Sequence, residues 1–312
     1  MQRGDASLVR AVEDHAFDAD PYSDNVIDLC PVGALLSRPF LYKARVWYLE
    51  PTPSVCPGCA RGCTVQLWHR KAEWKLNTLD ARRNATIERV TPLENPAVNG
   101  PWICNKGRDL AAIFERPRAL QAMARGEPVE LRLAIEAARR LVAEAKRPVA
   151  LLSNWASNEE LDAFRDSLGK RFTAFCKTDC EPQPGETLAD ELLIRADKNP
   201  NSTGALARFQ AMDESARAVI DAADLVLVWG EGADWTQVPA KGRVIFLNAW
   251  EQPENAQADL FIPTSIQTER RGHYTNFAGV VSAFEPCFPK KPSVADAEKL
   301  FAAMAAPQGR RE

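Results

Sequence analysis

Three cysteines crowd into "SVCPGCARGCTVQLW", at Cys56, Cys59 and Cys63, and a fourth, Cys104, follows in "NGPWICNKGRDL". If these sulfurs meet, the first three must share one tight loop and the chain must fold back to bring in Cys104. Three thiolates from one loop and one from a remote segment suit a [4Fe–4S] cluster, which takes four cysteine thiolates. Structural zinc more often takes two separated pairs. Zinc, or no ligand at all, stays open as the other outcome. Gly58 and Gly62 fit such a loop, because glycine tolerates positive φ and lets backbone N–H groups point at sulfur. Lys106 and Arg108 follow the closing cysteine. Their charge would favour an added electron on a cluster, or they are ordinary surface charges. Trp68, Trp74 and Trp102 flank the module; they would keep water from a cluster or simply pack.

The remaining cysteines are Cys30, Cys176, Cys180 and Cys287. The N-terminal "MQRGDASLVRAVEDHAFDAD" is acidic and lacks an apolar core, so it does not look like a secretory signal. A disulfide framework is therefore not expected. Cys176 and Cys180 are either a redox or zinc pair or two unrelated buried residues, and Cys287 has no visible partner. His15, His69 and His273 form no ligand motif. No apolar run is long enough to span a bilayer, which predicts a cytoplasmic protein that meets a membrane only through partners. A net charge of −3 argues against a nucleic-acid binder.

Along the chain, residues 1–50 form a short piece that ends before making a core. A Pro-rich step, "EPTPSVCP", leads into the cysteine loop. Three alternating runs, "TVQLWHR", "AEWKLNTL" and "TIERVTPL", read as short strands, and "ENPAVNG" as the turn that returns the chain to Cys104. Residues 51–115 are thus a small β-rich module around the four cysteines. From about residue 130 the pattern changes. "LRLAIEAARRLVAEA" reads as an amphipathic helix, and strands "RPVALLS", "FTAFCK", "DLVLVWG", "RVIFLN" and "ADLFIP" alternate with helices, of which "STGALARFQAMDESARAVIDAA" is one. Buried apolar strands alternating with helices predict a parallel-sheet α/β layer domain over 116–312. "VWGEGADW" ends a strand with two glycines but lacks the full nucleotide-binding fingerprint, so it reads as a strand-end turn.

The cysteine segments together resemble the N-terminal iron–sulfur module of the molybdopterin oxidoreductase superfamily, in cysteine spacing, Asn-rich turn and Cys-x-Lys-Gly-Arg ending. The longer stretch "YSDNVIDLCPVGALLSRPFLYKARVWYLEPTPSVCPGC" is similar to the family of G subunits (large iron–sulfur subunits) of bacterial NADH:quinone oxidoreductase, respiratory complex I. "LIRADKNPNSTGA" and "ADLFIPTSIQTERRGHYTNFAGVVSAF" resemble later α/β segments of the superfamily. The resemblance implies a [4Fe–4S] cluster on Cys56, Cys59, Cys63 and Cys104, and electron transfer without bond chemistry in this chain. It implies other peripheral-arm subunits as partners, namely the NADH-binding flavoprotein and iron–sulfur subunits, and a place on the cytoplasmic side of the inner membrane.

In that family the residue matching Cys30, which precedes Pro31, would close a second [4Fe–4S] cluster, with a Cys-x2-Cys-x2-Cys run on its N-terminal side. No such run precedes Cys30 here. That predicts ligands on another chain or a shortened, N-terminally truncated product, unless Cys30 is a buried structural cysteine. Catalytic relatives such as formate dehydrogenase bind a bis-pterin molybdenum cofactor. In "AAIFERPRALQAMARGEPVE" there is no cysteine or serine to ligate the metal, and Gly279 is followed by valine where relatives often carry arginine. The expectation is an α/β domain without a complete molybdopterin site. The rival expectations are a module of a molybdopterin-dependent oxidoreductase and a zinc-bound structural module.

Overall fold

The computed structural model describes residues 20–74, 84–232 and 242–306. The chain is mixed α/β, with a small antiparallel sheet followed by a larger, mainly parallel one. A short helix, α1 (Asn25–Leu29), comes first. The small sheet then runs in the order β1 (Leu49–Val55), β2 (Thr64–Arg70), β3 (Arg89–Pro92).

The Pro-rich step is thus itself a strand. Pro51 and Pro53 lie opposite Trp68 and Gln66. Two residues apart, they share the side of the strand whose missing N–H groups face away from β2, which an edge strand tolerates. The Pro53 carbonyl accepts instead from the Glu285 N–H at 3.1 Å. A second departure concerns "AEWKLNTL". Ala72–Trp74 is a 3-10 turn, with Trp74 against Tyr48 at 4.9 Å between ring centroids; residues 75–79 lie outside the described residues.

Two short helices, α2 (Asn105–Arg108) and α3 (Leu110–Phe114), follow the fourth cysteine. The hairpin β4 (Ala122–Ala124) and β5 (Glu127–Val129) comes next. It adds an antiparallel edge to the large sheet that the sequence pattern did not signal, because its strands are only three residues long. Helix α4 (Leu131–Glu144) buries Ala134, Ala138 and Val142, one residue per turn on a single face. Then come β6 (Pro148–Ser153), α5 (Asn158–Leu168) and β7 (Thr173–Lys177).

The run over 202–223 is not one helix. It divides into α6 (Ser202–Leu206), an edge strand β8 (Gln210–Ala211) and α7 (Glu214–Asp221). Pairing of Gln210 and Ala211 with Phe175 and Cys176 interrupts it, and the Asp213 carboxylate restarts the helix by accepting from the Ala216 N–H. The chain continues through β9 (Leu225–Trp229), β10 (Arg243–Asn248), α8 (Glu254–Gln257), β11 (Leu260–Pro263), the hairpin β12 (Gly272–Thr275) and β13 (Val281–Phe284), and α9 (Ala297–Ala305).

The large sheet has the order β5-β4-β11-β10-β9-β6-β7-β8, parallel from β11 to β8. Successive strands run outward from β6 in one direction and from β9 in the other, so the fold reverses between those two neighbours. Crevices at the C-terminal ends of strands at such a reversal are where open α/β sheets take ligands. One face of the sheet packs on α4, α5 and α9 through Val142, Phe164 and Phe301; the other packs on α7 through Ala216 and Ile220.

Helix α5 starts with a full capping box between Ser157 and Glu160. At its surface Arg208 donates twice to the Asp162 carboxylate, at 2.8 Å each. Those bonds hold Asp162 below the usual carboxylate range. Its folded pKa is lower than its unfolded one, so this stabilisation is present above about pH 4. It is lost as pH falls through the depressed folded value. Arg208→Met is expected to cost about 0.5–1 kcal/mol at neutral pH, the pair being partly exposed, and to flatten this part of the acid dependence. Thermal melts of both proteins at neutral and acid pH check it; equal losses at both pH values would disprove it.

Candidate metal centre

Each side of the cysteine loop is tied down by a different part of the chain. The Cys56 N–H donates to the Cys63 carbonyl at 2.8 Å, closing the loop across the β1–β2 turn. Gly62 carries the positive φ (+60°), while Gly58 aims its N–H at the Cys56 sulfur, at 3.4 Å. The tip is held from outside: the Ala60 N–H donates to the Asp197 carbonyl and the Ala60 carbonyl accepts from the Phe277 N–H, both at 2.9 Å. Asn276 Nδ2 donates to the Arg61 carbonyl, and Gln267 Nε2 to the Val55 carbonyl at 2.7 Å. The segments containing Asp197, Gln267 and Asn276 come from the α/β part, so that part shapes the loop.

Cys104 is returned by the predicted turn. Asn99 is buried; its Oδ1 accepts from the Thr64 N–H at 2.9 Å, and its Nδ2 donates to the carbonyls of Leu93, Gly100 and Trp102. One side chain thereby links the loop's return strand to the segment entering Cys104.

Cys56, Cys59, Cys63 and Cys104 line one cavity of about 120 Å³, walled by Ile103, Leu193 and Ile194. Among the described residues, no three His, Cys, Asp or Glu side chains converge tightly enough for a single metal ion. Four cysteines around one cavity supply the donor number that a [4Fe–4S] group takes. Burial pushes the Cys56 thiol well up, with Cys63 adding to it; burial likewise raises Cys63 and Cys104. Thiolates in such a place need a cationic partner to offset the loss of water. The donor set, the cavity and the N–H on sulfur therefore fit a [4Fe–4S] group.

The flanking residues divide. Lys106 lines the cavity and pairs with Glu186 at 2.6 Å; burial works against its charge, but the Glu186 bond holds its pKa above the ordinary value. Arg108 turns away, donating to Asp28 at 2.5 Å and Asn25 at 2.7 Å, and so fastens α1 to the module. The tryptophans are absent from the cavity wall. Trp68 donates to Thr91 across the sheet, while Trp74 and Trp102 are exposed. Cys30 also lies off this cavity, partly exposed, its thiol pulled down by the backbone N–H of Leu35 and, after burial's opposing effect, by those of Val32, Ala34 and Gly33.

Of the histidines, His69 is buried beside Thr52 at 2.8 Å, His273 pairs with Glu159, and His15 lies outside the described residues. Cys176 is buried in β7, where burial pushes its thiol up to about 12. Cys287 packs beside the module core, also pushed up to about 12 by burial.

The sequence pattern missed a second cavity, of about 230 Å³, at the strand reversal. Ser153, Trp229, Asn248 and Thr264, at the C-terminal ends of β6, β9, β10 and β11, line it. Gly230 closes the turn after β9 at φ +81°, where a Cβ would lie 2.7 Å from Ser153 Oγ. Residues 233–235 of that turn lie outside the described residues. Gly58, Lys106 and Lys198 border both cavities, and Cys180 lines the second. The strand reversal was the available signal, but it depends on strand order, which spacing alone does not supply.

Residues 49–115 match the molybdopterin oxidoreductase Fe4S4 domain, so the chain carries an iron–sulfur domain of that class, with a [4Fe–4S] cluster as its cofactor. Its relatives are oxidoreductase subunits, and it is related to the G subunits of NADH-quinone oxidoreductases. It is 34% identical over 148 residues to the second G subunit of the NADH-quinone oxidoreductase of Rhizobium meliloti, covering 45% of this chain and 16% of the relative. It is 38% identical over 87 residues to NADH-quinone oxidoreductase subunit 3 of Thermus thermophilus (28% and 10%). It is 30% identical over 131 residues to NADPH-Fe(3+) oxidoreductase subunit alpha of Geobacter sulfurreducens (42% and 14%). The chain thus spans only a small part of the length of these relatives. Among the described residues no helix is long and apolar enough to cross a membrane.

Proposed function

We propose that this chain is an iron–sulfur electron-transfer subunit of an NADH:quinone oxidoreductase, carrying electrons from NADH toward quinone within the peripheral arm. The observation that carries this is four cysteines around one cavity, inside a segment that matches an Fe4S4 domain. Cys56, Cys59, Cys63 and Cys104 are the proposed ligands. When bound, a [4Fe–4S] group supplies one-electron oxidation and reduction. The chain's own residues do the rest. Ile103, Leu193 and Ile194 exclude water, and the Gly58 N–H stabilises negative charge on Cys56. Lys106 offers a positive charge beside the cavity, tempered by Glu186.

In this reading the NADH-binding flavoprotein and other iron–sulfur subunits are the partners. They hold the chain on the cytoplasmic side of the inner membrane, and Cys30 caps a second [4Fe–4S] cluster whose other ligands lie outside this sequence. The domain division at residues 50 and 115 belongs to the same proposal, although α/β segments clamp the cysteine loop.

Iron, sulfide, zinc and molybdenum analysis of anaerobically purified chain tests it, with an electron paramagnetic resonance spectrum after reduction. About four irons and four sulfides per chain with a reduced-cluster signal are expected. Zinc in place of iron would end the electron-transfer reading. The second cavity, with Cys180 in its wall and Lys106 joining it to the cysteine cavity, favours one rival: a module of a molybdopterin-dependent oxidoreductase. Stoichiometric molybdenum and pterin would establish that rival.

A further inference from the structure

The cysteine loop presents a positive, aromatic surface that the electron-transfer reading does not use. Phe277 follows Asn276 at the β12–β13 turn and is 44% exposed. Its backbone is fixed by the N–H bond to Ala60, and Asn276 is fixed by its own bonds to Arg61, Ala278 and Val280. Two guanidinium groups stack on the ring: Arg195 at 4.0 Å and Arg61, from within the cysteine loop, at 5.5 Å. Among the described residues neither guanidinium makes an ion pair or hydrogen bond, and the Nε of each is buried without a partner. The nearest backbone neighbour that is acidic, Asp197, spends its carboxylate on Asn199 N–H and Nδ2, both at 2.9 Å. The rest of the chain is net acidic. Two uncompensated cations on a rigid exposed ring, against an acidic background, form the kind of anchor that interfaces favour, with aromatic and arginine contacts and charge steering of the encounter.

We propose that Arg61, Phe277 and Arg195 form the docking site for a carboxylate-rich surface of a one-electron carrier protein, of the acidic iron–sulfur kind. This rests on the electron-transfer reading above. Charge complementarity selects the occupant: carboxylates on a partner offset two guanidinium groups that no described carboxylate pairs with. Arg61 lies between Cys59 and Cys63 in the cysteine loop, so a partner seated there contacts the loop that carries three of the proposed ligands. In the exchange, the partner is oxidised by one electron and this chain is reduced by one; no bond forms or breaks and no proton moves.

The test is calorimetric binding of full-length chain to an acidic plant-type [2Fe–2S] ferredoxin, with iron and sulfide measured on every sample. Arg61→Gln/Arg195→Gln is expected to weaken binding about tenfold or more, and Phe277→Ala several-fold. Arg125→Gln/Arg132→Gln, which removes the same charge from two exposed arginines elsewhere, is expected to change it less than about twofold. Raising ionic strength from about 0.02 to about 0.2 M is expected to weaken wild-type binding and to affect the Arg61/Arg195 variant much less. No binding by wild type, or equal loss in both double variants, would overturn the proposal. Iron-free wild type would sink the electron-transfer reading, while the binding comparison would still decide the docking site on its own.

Discussion

Replacing Cys59 with serine is expected to strip the chain of its visible iron–sulfur absorbance and to lower iron from about four per chain to below about one. The argument rests on where the sulfur is. Cys59 lines the cavity with Cys56, Cys63 and Cys104, in a loop held by Cys63, Asp197 and Phe277. A serine hydroxyl fits the space but is a poor ligand for iron–sulfur chemistry. Two controls make the result specific. Cys176→Ser, at a buried position in β7, and Cys30→Ser, off this cavity, should both leave the four-cysteine iron in place. Full iron retention in Cys59→Ser would refute the ligand assignment. Equal loss in Cys176→Ser would mean that the change reports folding instead.

The second large effect lies at the wall of the other cavity. The Lys177 ammonium is buried against the Asp179 carboxylate and the Glu231 carbonyl, and Asp179 also accepts from the Ser153 hydroxyl and the Asn154 N–H. Both side chains of the pair are about 3% exposed. Lys177→Met leaves Asp179 buried without its cation, which should cost about 3–5 kcal/mol at neutral pH. Burial already pushes Asp179 up, and Lys177 pulls against it; without Lys177 it rises further. A carboxyl whose folded pKa exceeds its unfolded one holds its proton in the folded state, so part of the loss should return as pH falls. Lys177→Met/Asp179→Asn should recover much of it at neutral pH. Urea unfolding of the three proteins at two pH values decides this; a Lys177→Met protein within about 1 kcal/mol of wild type would show that the pair contributes little.

How far the sequence reached can be judged from particular residues. The cysteine spacing, the Asn-rich turn, α4 and the central strands were legible, because each depends on neighbours within a few positions: a turn residue, a period of 3.6, an apolar run. Where distant partners decide, local pattern failed. Pro51 and Pro53 lay in a step outside the expected strands, yet an edge strand accepts them. Gln210 and Ala211 looked helical, yet β7 recruits them into the sheet. Whether Arg108 served the metal centre was open in the sequence, and Asp28, 80 positions away, takes it.

The sequence alone was enough for the cysteine spacing, three in one loop and one after a turn, and for the alternation of elements that makes an α/β layer. The fold alone brings the four cysteines to one cavity, puts Lys106 and not Arg108 on its border, and stacks Arg61 and Arg195 on Phe277. The physical reason is range. Backbone geometry and apolar periodicity act over a turn or two, whereas ion pairs, cation–π contacts and cavity walls join residues that the fold alone brings together.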